Sequence, residues 1–199
     1  MAATIPAKNG TNGWSVSAFE THRALLTDFV KAKIQPHMDS GKVNRILIHA
    51  PVKSGKREIV EYIAMRDFTK NPRRVHAFVS AFHRVADKDQ RAELEIHNLK
   101  VFSIITRTRA DEFLEWFTEQ LAASKHVVIH LDESDFASGE NQTLSPVYDA
   151  IRSQENTIVI MYTATDPEIH YSGEVGDPAQ DIVDEMHPHN GGIRVEFKW

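Results

Sequence analysis

Short apolar runs alternate with segments of helical periodicity along most of this chain, and that alternation constrains the fold more than any other feature. Residues 45–49, Arg-Ile-Leu-Ile-His, form the first run, followed by a helical segment carrying Ile59, Val60, Ile63 and Ala64. Residues 75–81 give a second strand and 87–97 a polar helix. Residues 101–105 give a third strand, and 110–124 an amphipathic helix with Phe113, Leu114, Phe117 and Leu121 on one face. A fourth strand (126–131), a helix (144–153) and a fifth strand (157–162) complete the pattern. Parallel neighbours need a crossover connection, and helices of this length supply one. The expectation is an α/β fold: a mostly parallel sheet with helices on both faces.

The flanks are read differently. Residues 1–14 are small, polar and glycine-rich, the composition of a flexible arm. From residue 15 to 34, Phe19, Leu26, Phe29 or Val30, and Ile34 recur at helical spacing, and Pro36 is expected to stop that helix. The main domain then spans 15–167, within the size that one core supports in a chain of 199 residues. Residues 168–199 read as an acidic, His-rich polar tail ending in a strand at 193–199. Asp181, Asp184, Glu185, His187 and His189 match no standard metal-ligand spacing and are read as part of that tail.

Composition narrows the chemistry. The absence of cysteine excludes disulfides, thiolate metal sites and cysteine nucleophiles. A net charge of −5 gives no global basic field, so any nucleic-acid contact has to come from a local groove. The first residues lack the apolar stretch of a secretion signal, and no run is long enough to span a bilayer. An intracellular location without membrane partners is expected.

In an open α/β sheet the ligand lies at the carboxyl ends of the strands, so the residues that follow each strand carry the functional argument. After the first strand come Ala50-Pro51-Val52-Lys53-Ser54-Gly55-Lys56-Arg57. A nucleotide phosphate requires inward-pointing backbone N–H groups, a helix N-terminus and a cation. Gly55 permits close backbone approach, Ser54 shapes the turn, and Lys56 reaches the phosphates. The usual pattern, GxxxxGK[ST], has glycine where Ala50 stands and a magnesium-binding hydroxyl where Arg57 stands. After the fourth strand come Asp132-Glu133-Ser134-Asp135, carboxylates that can hold hydrated magnesium and position a water. After the fifth come Thr163-Ala164-Thr165-Asp166-Pro167. Each segment alone also reads as an ordinary turn: a tight turn with a solvated lysine, an acidic cap, a Thr/Pro turn.

Taken together, Ala50 to Lys56, Asp132-Glu133-Ser134-Asp135 and Thr163-Ala164-Thr165-Asp166-Pro167 resemble motifs I, II and III of superfamily 2 helicases, in the order found in the first RecA-like domain. The resemblance covers about residues 42–168. More narrowly, Pro51 to Arg57 and the Leu-Asp-Glu-Ser-Asp segment are similar to a little-characterised group of helicase-like ATPases from viral and fungal proteins. The resemblance implies a P-loop NTPase that uses ATP and Mg²⁺. Lys56 would act on the phosphates, Asp132 would hold magnesium through water, and Glu133 would be the general base. Thr163 and Thr165 would couple hydrolysis to domain movement. Arg57 puts the direct hydroxyl–magnesium contact in doubt.

A motor of that superfamily has a second RecA-like domain, and the residues after 168 have no room for one. It would come in cis or in trans, bringing the arginine finger worth roughly 10³–10⁵ in rate. For a nucleic-acid partner the candidates follow the second and third strands: Ser80, Phe82, Arg84 and Arg107. These combine phosphate donors with an aromatic ring for stacking, and read equally well as solvated loops. His49 and His130, at or near strand ends, read as satisfied polar residues rather than catalytic ones. Two functions follow: an ATP-binding motor domain of a nucleic-acid-dependent ATPase, or a degenerate, non-enzymatic P-loop scaffold.

Overall fold

The computed structural model describes residues 16–42, 44–49, 55–80, 99–104, 107–132, 145–152, 154–163, 180–184 and 193–198. In chain order these form α1 (Val16–Phe29), a π-helical turn (Val30–Ile34), α2 (Gln35–Ser40), β1 (Arg45–His49), α3 (Lys56–Lys70), β2 (Arg74–Ser80) and β3 (Leu99–Ser103). Then follow α4 (Arg107–Ala122), β4 (His126–Asp132), α5 (Ser145–Arg152), β5 (Thr157–Thr163), β6 (Gln180–Asp184) and β7 (Ile193–Lys198). The polar helix expected at 87–97 lies outside the described residues.

The strands form one sheet in the order β3-β2-β4-β5-β1-β7-β6. The first five are mutually parallel, as the alternation predicts. β7 runs antiparallel to β1, and β6 antiparallel to β7. Within the stretch read as a polar tail, β7 coincides with the expected terminal strand, whereas β6 was not anticipated. Its sequence, Gln-Asp-Ile-Val-Asp, offers only two apolar residues to the pattern. Asp181 and Asp184 therefore stand in a paired edge strand rather than in an unstructured tail.

Alternation along each strand sends side chains to opposite faces. On one face Ile46, Ile48, Phe78, Val101, Val128, Ile160 and Tyr162 pack beneath α1, α2 and α3. On the other, Ala77, Val79, Phe102, Val127, Ile129, Leu131 and Val159 pack beneath α4 and α5. α3 turns Ile59, Val60, Ile63 and Ala64 inward, each essentially inaccessible, and each of the Ile and Val side chains contributes roughly 1.5–3 kcal/mol. α4 buries Phe113 and Phe117, and Phe113 meets Phe102 edge-on at 5.2 Å.

Pro36 does not end the N-terminal helix. The helix widens into a π turn, where the Gln35 N–H donates to the Val30 carbonyl, and then continues to Ser40 with proline in the first turn of α2. Proline lacks an N–H and crowds the carbonyl four residues back in a regular α-helix. The wider turn avoids both problems and keeps Val30, Ile34 and Met38 buried. The helix stops at Gly41, where the left-handed φ of +67° ends it.

Candidate functional site

Three of the segments that carry the functional argument meet the carboxyl edge of the sheet. The β1 connection enters α3 through Gly55, whose φ of +94° places the backbone where only glycine sits without strain. A side chain here would also overlap Leu26 Cδ1 of α1 and come within 2.9 Å of His22 Nε2. The N-terminal helix thus packs directly against the end of the loop. Lys56, Arg57 and Glu58 form the first turn of α3, where backbone N–H groups have no partner within the helix. An anionic phosphate fits such a donor set: the amides of a helix's first turn, a helix dipole and an adjacent lysine.

Arg57 stands where the usual pattern has a hydroxyl. Its Nε lies 3.1 Å from Oε1 of Glu61, a carboxylate only 5% exposed. An unpaired buried carboxylate is costly, so the arginine has a structural task one turn into the helix. The cation that looks foreign to a phosphate loop is therefore explained by the packing of α3.

Asp132 ends β4, half-buried, level with Tyr162 on β5 and with Ser80 on β2. Ser80, a candidate for nucleic acid, stands beside the candidate magnesium ligand, and its carbonyl accepts from the Ile104 N–H at 2.8 Å. Thr163 ends β5, buried, paired in register with His49 of β1. β5 therefore lies between the strand that leads to Gly55 and Lys56 and the strand that ends in Asp132. Arg107 is not in a loop: it is the first residue of α4, whose first turn also holds Arg109, ion-paired with Glu112 at 2.7 Å. Helix α4 begins three residues earlier than its apolar pattern indicates. Ser54, Phe82, Arg84, Glu133 and Thr165 lie outside the described residues.

Beneath this edge, on the α3 face, runs a line of buried polar groups, of which the sequence pattern singled out His130 alone. Asp67, inaccessible at the end of α3, accepts from Arg66 at 3.1 Å and from Asn71 at 2.9 Å, and lies 3.3 Å from Arg74 Nη1 and 3.4 Å from His76 Nε2. His76 Nδ1 lies 3.1 Å from His130 Nε2, and His130 Nδ1 lies 2.9 Å from the Tyr162 hydroxyl. Both histidines and the tyrosine are buried, so the reading of His130 as a satisfied polar residue holds. His76 and Tyr162 alternate with apolar residues as core positions do. Their partnership depends on register across strands far apart in sequence, which no local signal encodes.

The charges respond accordingly. Burial by itself raises the Asp67 carboxyl, but bonds from His76 and Asn71 and the Arg74 and His76 charges outweigh it and bring it down to about 2. Burial, reinforced by the neighbouring His76, pushes His130 well below the ordinary imidazole range, against the opposing pull of Asp67. Burial, and then the Asp132 charge, push the Tyr162 phenol well above its usual value.

These shifts predict two acid losses of stability. An unfolded His130 binds a proton that the folded residue refuses, so its contribution is complete above pH 6.5 and declines as pH falls below that value. The slope approaches about 1.4 kcal/mol per pH unit for one such proton. Asp67, depressed in the folded state, contributes fully above pH 3.8 and loses that contribution as pH falls towards about 2. Urea unfolding across pH, compared between wild type and His130→Gln, should show the upper loss reduced in the variant. Parallel profiles down to pH 5 would contradict the assignment.

The fold is an α/β domain, five parallel strands between helices with an antiparallel pair added beside β1. No protein-family model matches the sequence, and no curated protein is significantly similar to it. Among solved structures the chain is similar to domain III of the Thermotoga maritima replication initiation protein DnaA, at 11% identity and a TM-score of 0.43. The match covers 78% of this chain and 55% of that one. Among the described residues, no group of His, Asp or Glu is arranged to hold a metal by itself, and no helix is long and apolar enough to cross a membrane.

Proposed function

We propose that this chain is a nucleotide-binding domain that takes ATP with Mg²⁺, and that it serves as the first motor domain of a helicase-like, nucleic-acid-dependent ATPase. One observation carries the reading: Gly55 and Lys56 open α3 directly after β1, while Asp132 ends β4 on the same edge, one strand beyond β5. That placement sets a cationic helix N-terminus and a carboxylate on one edge of the sheet, on either side of β5. Ser54, Gly55 and Lys56 would hold the phosphates, and Asp132 would hold the cation through water. The cation would neutralise charge developing on the phosphates. Glu133 would receive the proton of the attacking water, and Thr163 and Thr165 would pass the change to a second RecA-like domain supplied in cis or in trans. Ser80, Phe82, Arg84 and Arg107 would face the nucleic acid.

Lys56→Ala is expected to abolish ATP–Mg²⁺ binding measured by calorimetry while leaving the circular dichroism spectrum unchanged. Undiminished affinity in that variant would sink the placement. With the partner domain present, Glu133→Gln should remove ATP turnover and retain binding.

A second reading has its own observation. Arg57 occupies the hydroxyl position and is committed to Glu61, which suits a P-loop scaffold that no longer hydrolyses nucleotide. Folded protein with no Mg²⁺-dependent nucleotide binding favours this scaffold.

A further inference from the structure

The turn that joins α3 to β2 lies at the amino edge of the sheet, opposite the candidate nucleotide site. With the last turn of α3 it reads Phe68-Thr69-Lys70-Asn71-Pro72-Arg73-Arg74. Two of its polar side chains are tied inward. Asn71 Nδ2 donates to Asp67 at 2.9 Å. Arg74 reaches Asp67 at 3.3 Å, Asp39 at 2.9 Å and the Met38 carbonyl at 2.8 Å. The backbone is closed as well: the Asn71 N–H donates to the Asp67 carbonyl and the Arg74 N–H to the Asn71 carbonyl, both at 2.8 Å. The buried Asp67 thus fixes the turn from beneath, while Lys70, Pro72 and Arg73 stay exposed on its outside.

The start of β4 extends this surface. Arg74 is level with His126, and the Arg73 carbonyl accepts from the His126 N–H at 3.1 Å. His126 is exposed, and Lys125, directly before it, is half-buried. Arg66 and Arg74 are held by Asp39 and Asp67. Lys70, Arg73 and Lys125 form no ion pair with any described residue. Against these three cations stand Asp39, held by two arginines, and the exposed Glu119 and Glu155. Beside them Phe68, in the last turn of α3, is 63% exposed, although a phenyl ring left in water forgoes burial.

We propose that Phe68, Lys70, Arg73, Lys125 and His126 form a second contact surface for nucleic acid, and that its ligand is single-stranded. Lysine and arginine take backbone phosphates whatever the sequence. The cations alone would suit any polyanion, and Phe68 makes the distinction. In a duplex the base faces are stacked on one another, whereas a single strand offers them to an exposed ring. An acidic polypeptide brings carboxylates without a planar face beside each charge. The tied turn also presents Lys70 and Arg73 on a backbone that needs no ordering when the strand binds. This surface rests on no role of Lys56 or Asp132. It lies at the opposite edge from Ser80, which ends β2, and from Arg107, which opens α4.

Fluorescence anisotropy on the full chain across a salt series, with labelled oligothymidylate as the probe, tests this. Wild type should bind, with affinity falling as salt rises. Lys70→Ala combined with Arg73→Ala should flatten the plot of log affinity against log salt by roughly 0.7 for each cation removed. Lys125→Ala, in a separate element, should flatten it by the same step. Phe68→Leu should weaken binding roughly tenfold and leave the slope unchanged. With the same strand annealed into a duplex, Phe68→Leu should cost nothing. Wild-type protein that does not bind the oligonucleotide, or variants that all bind as wild type does, would overturn the proposal. So would a flattened slope with full affinity kept in Phe68→Leu, the result expected of a surface for an acidic polypeptide. Arg107→Ala separates the two edges. Binding that falls with Arg107→Ala but not with Arg73→Ala refutes the amino-edge surface and leaves the carboxyl-edge reading standing, and the reverse result does the opposite. Losses in both, adding in the double variant, support two surfaces.

Discussion

Asp67→Ala is expected to cost about 3 kcal/mol of folding stability and, for a domain of this size, to lower Tm by roughly 6–12 °C. The residue is inaccessible, and Arg66, Asn71, Arg74 and His76 all converge on it. Its removal leaves the mostly buried Arg74, 13% exposed, and the buried His76 facing an emptied acceptor position, which is costlier than losing the interaction itself. The penalty stays near the lower end of the range for broken buried pairs because Arg74 keeps Asp39 and the Met38 carbonyl, at 2.9 and 2.8 Å. Asp39→Ala is the control. Asp39 is 38% exposed, its pairs are screened, and its loss should cost less than about 1 kcal/mol. Chemical denaturation of both variants measures the difference. Equal effects, or an Asp67→Ala change under about 1 kcal/mol, would show that the convergence on Asp67 does not hold the sheet's amino edge.

Gly55→Ala is expected to destabilise by roughly 2–4 kcal/mol through two separable terms. The left-handed φ of +94° strains any residue with a Cβ. That Cβ would also overlap Leu26 and crowd His22, forcing α1 away from the start of α3. A double-mutant cycle with Leu26→Val separates them. The steric term shrinks when Leu26 is shortened, so the double variant should be less destabilised than the sum of the singles. Strict additivity would mean that α1 does not rest on the loop.

Much of the architecture was legible because local pattern and global position agree. Five apolar runs with helices between them become the five parallel strands, and Phe113 and Phe117 fall on the buried face of α4 that their spacing indicates. The failures have particular causes. Pro36 is a helix breaker only if the preceding turn is α-helical, and a π turn changes that premise. Arg107 and Arg109 look like loop residues because the first turn of α4 carries no apolar pattern until Ala110. β6 contributes little apolar signal because its place is set by pairing to β7.

The candidate site divides in the same way. Gly55, Lys56 and Asp132 could be chosen from the residues themselves, because a phosphate loop and a strand-end carboxylate are chemistries with short, contiguous signatures. The sequence by itself determined which residues could do that chemistry and on which strands they stand. Only the tertiary structure decided what surrounds them: Glu61 claiming Arg57, Leu26 and His22 resting on Gly55, and Ser80 standing beside Asp132. It alone joined Asp67 through His76 and His130 to Tyr162. The physical reason is that a local motif depends on neighbours along the backbone, whereas a buried polar chain depends on strand order and register, which form only when the whole sheet assembles.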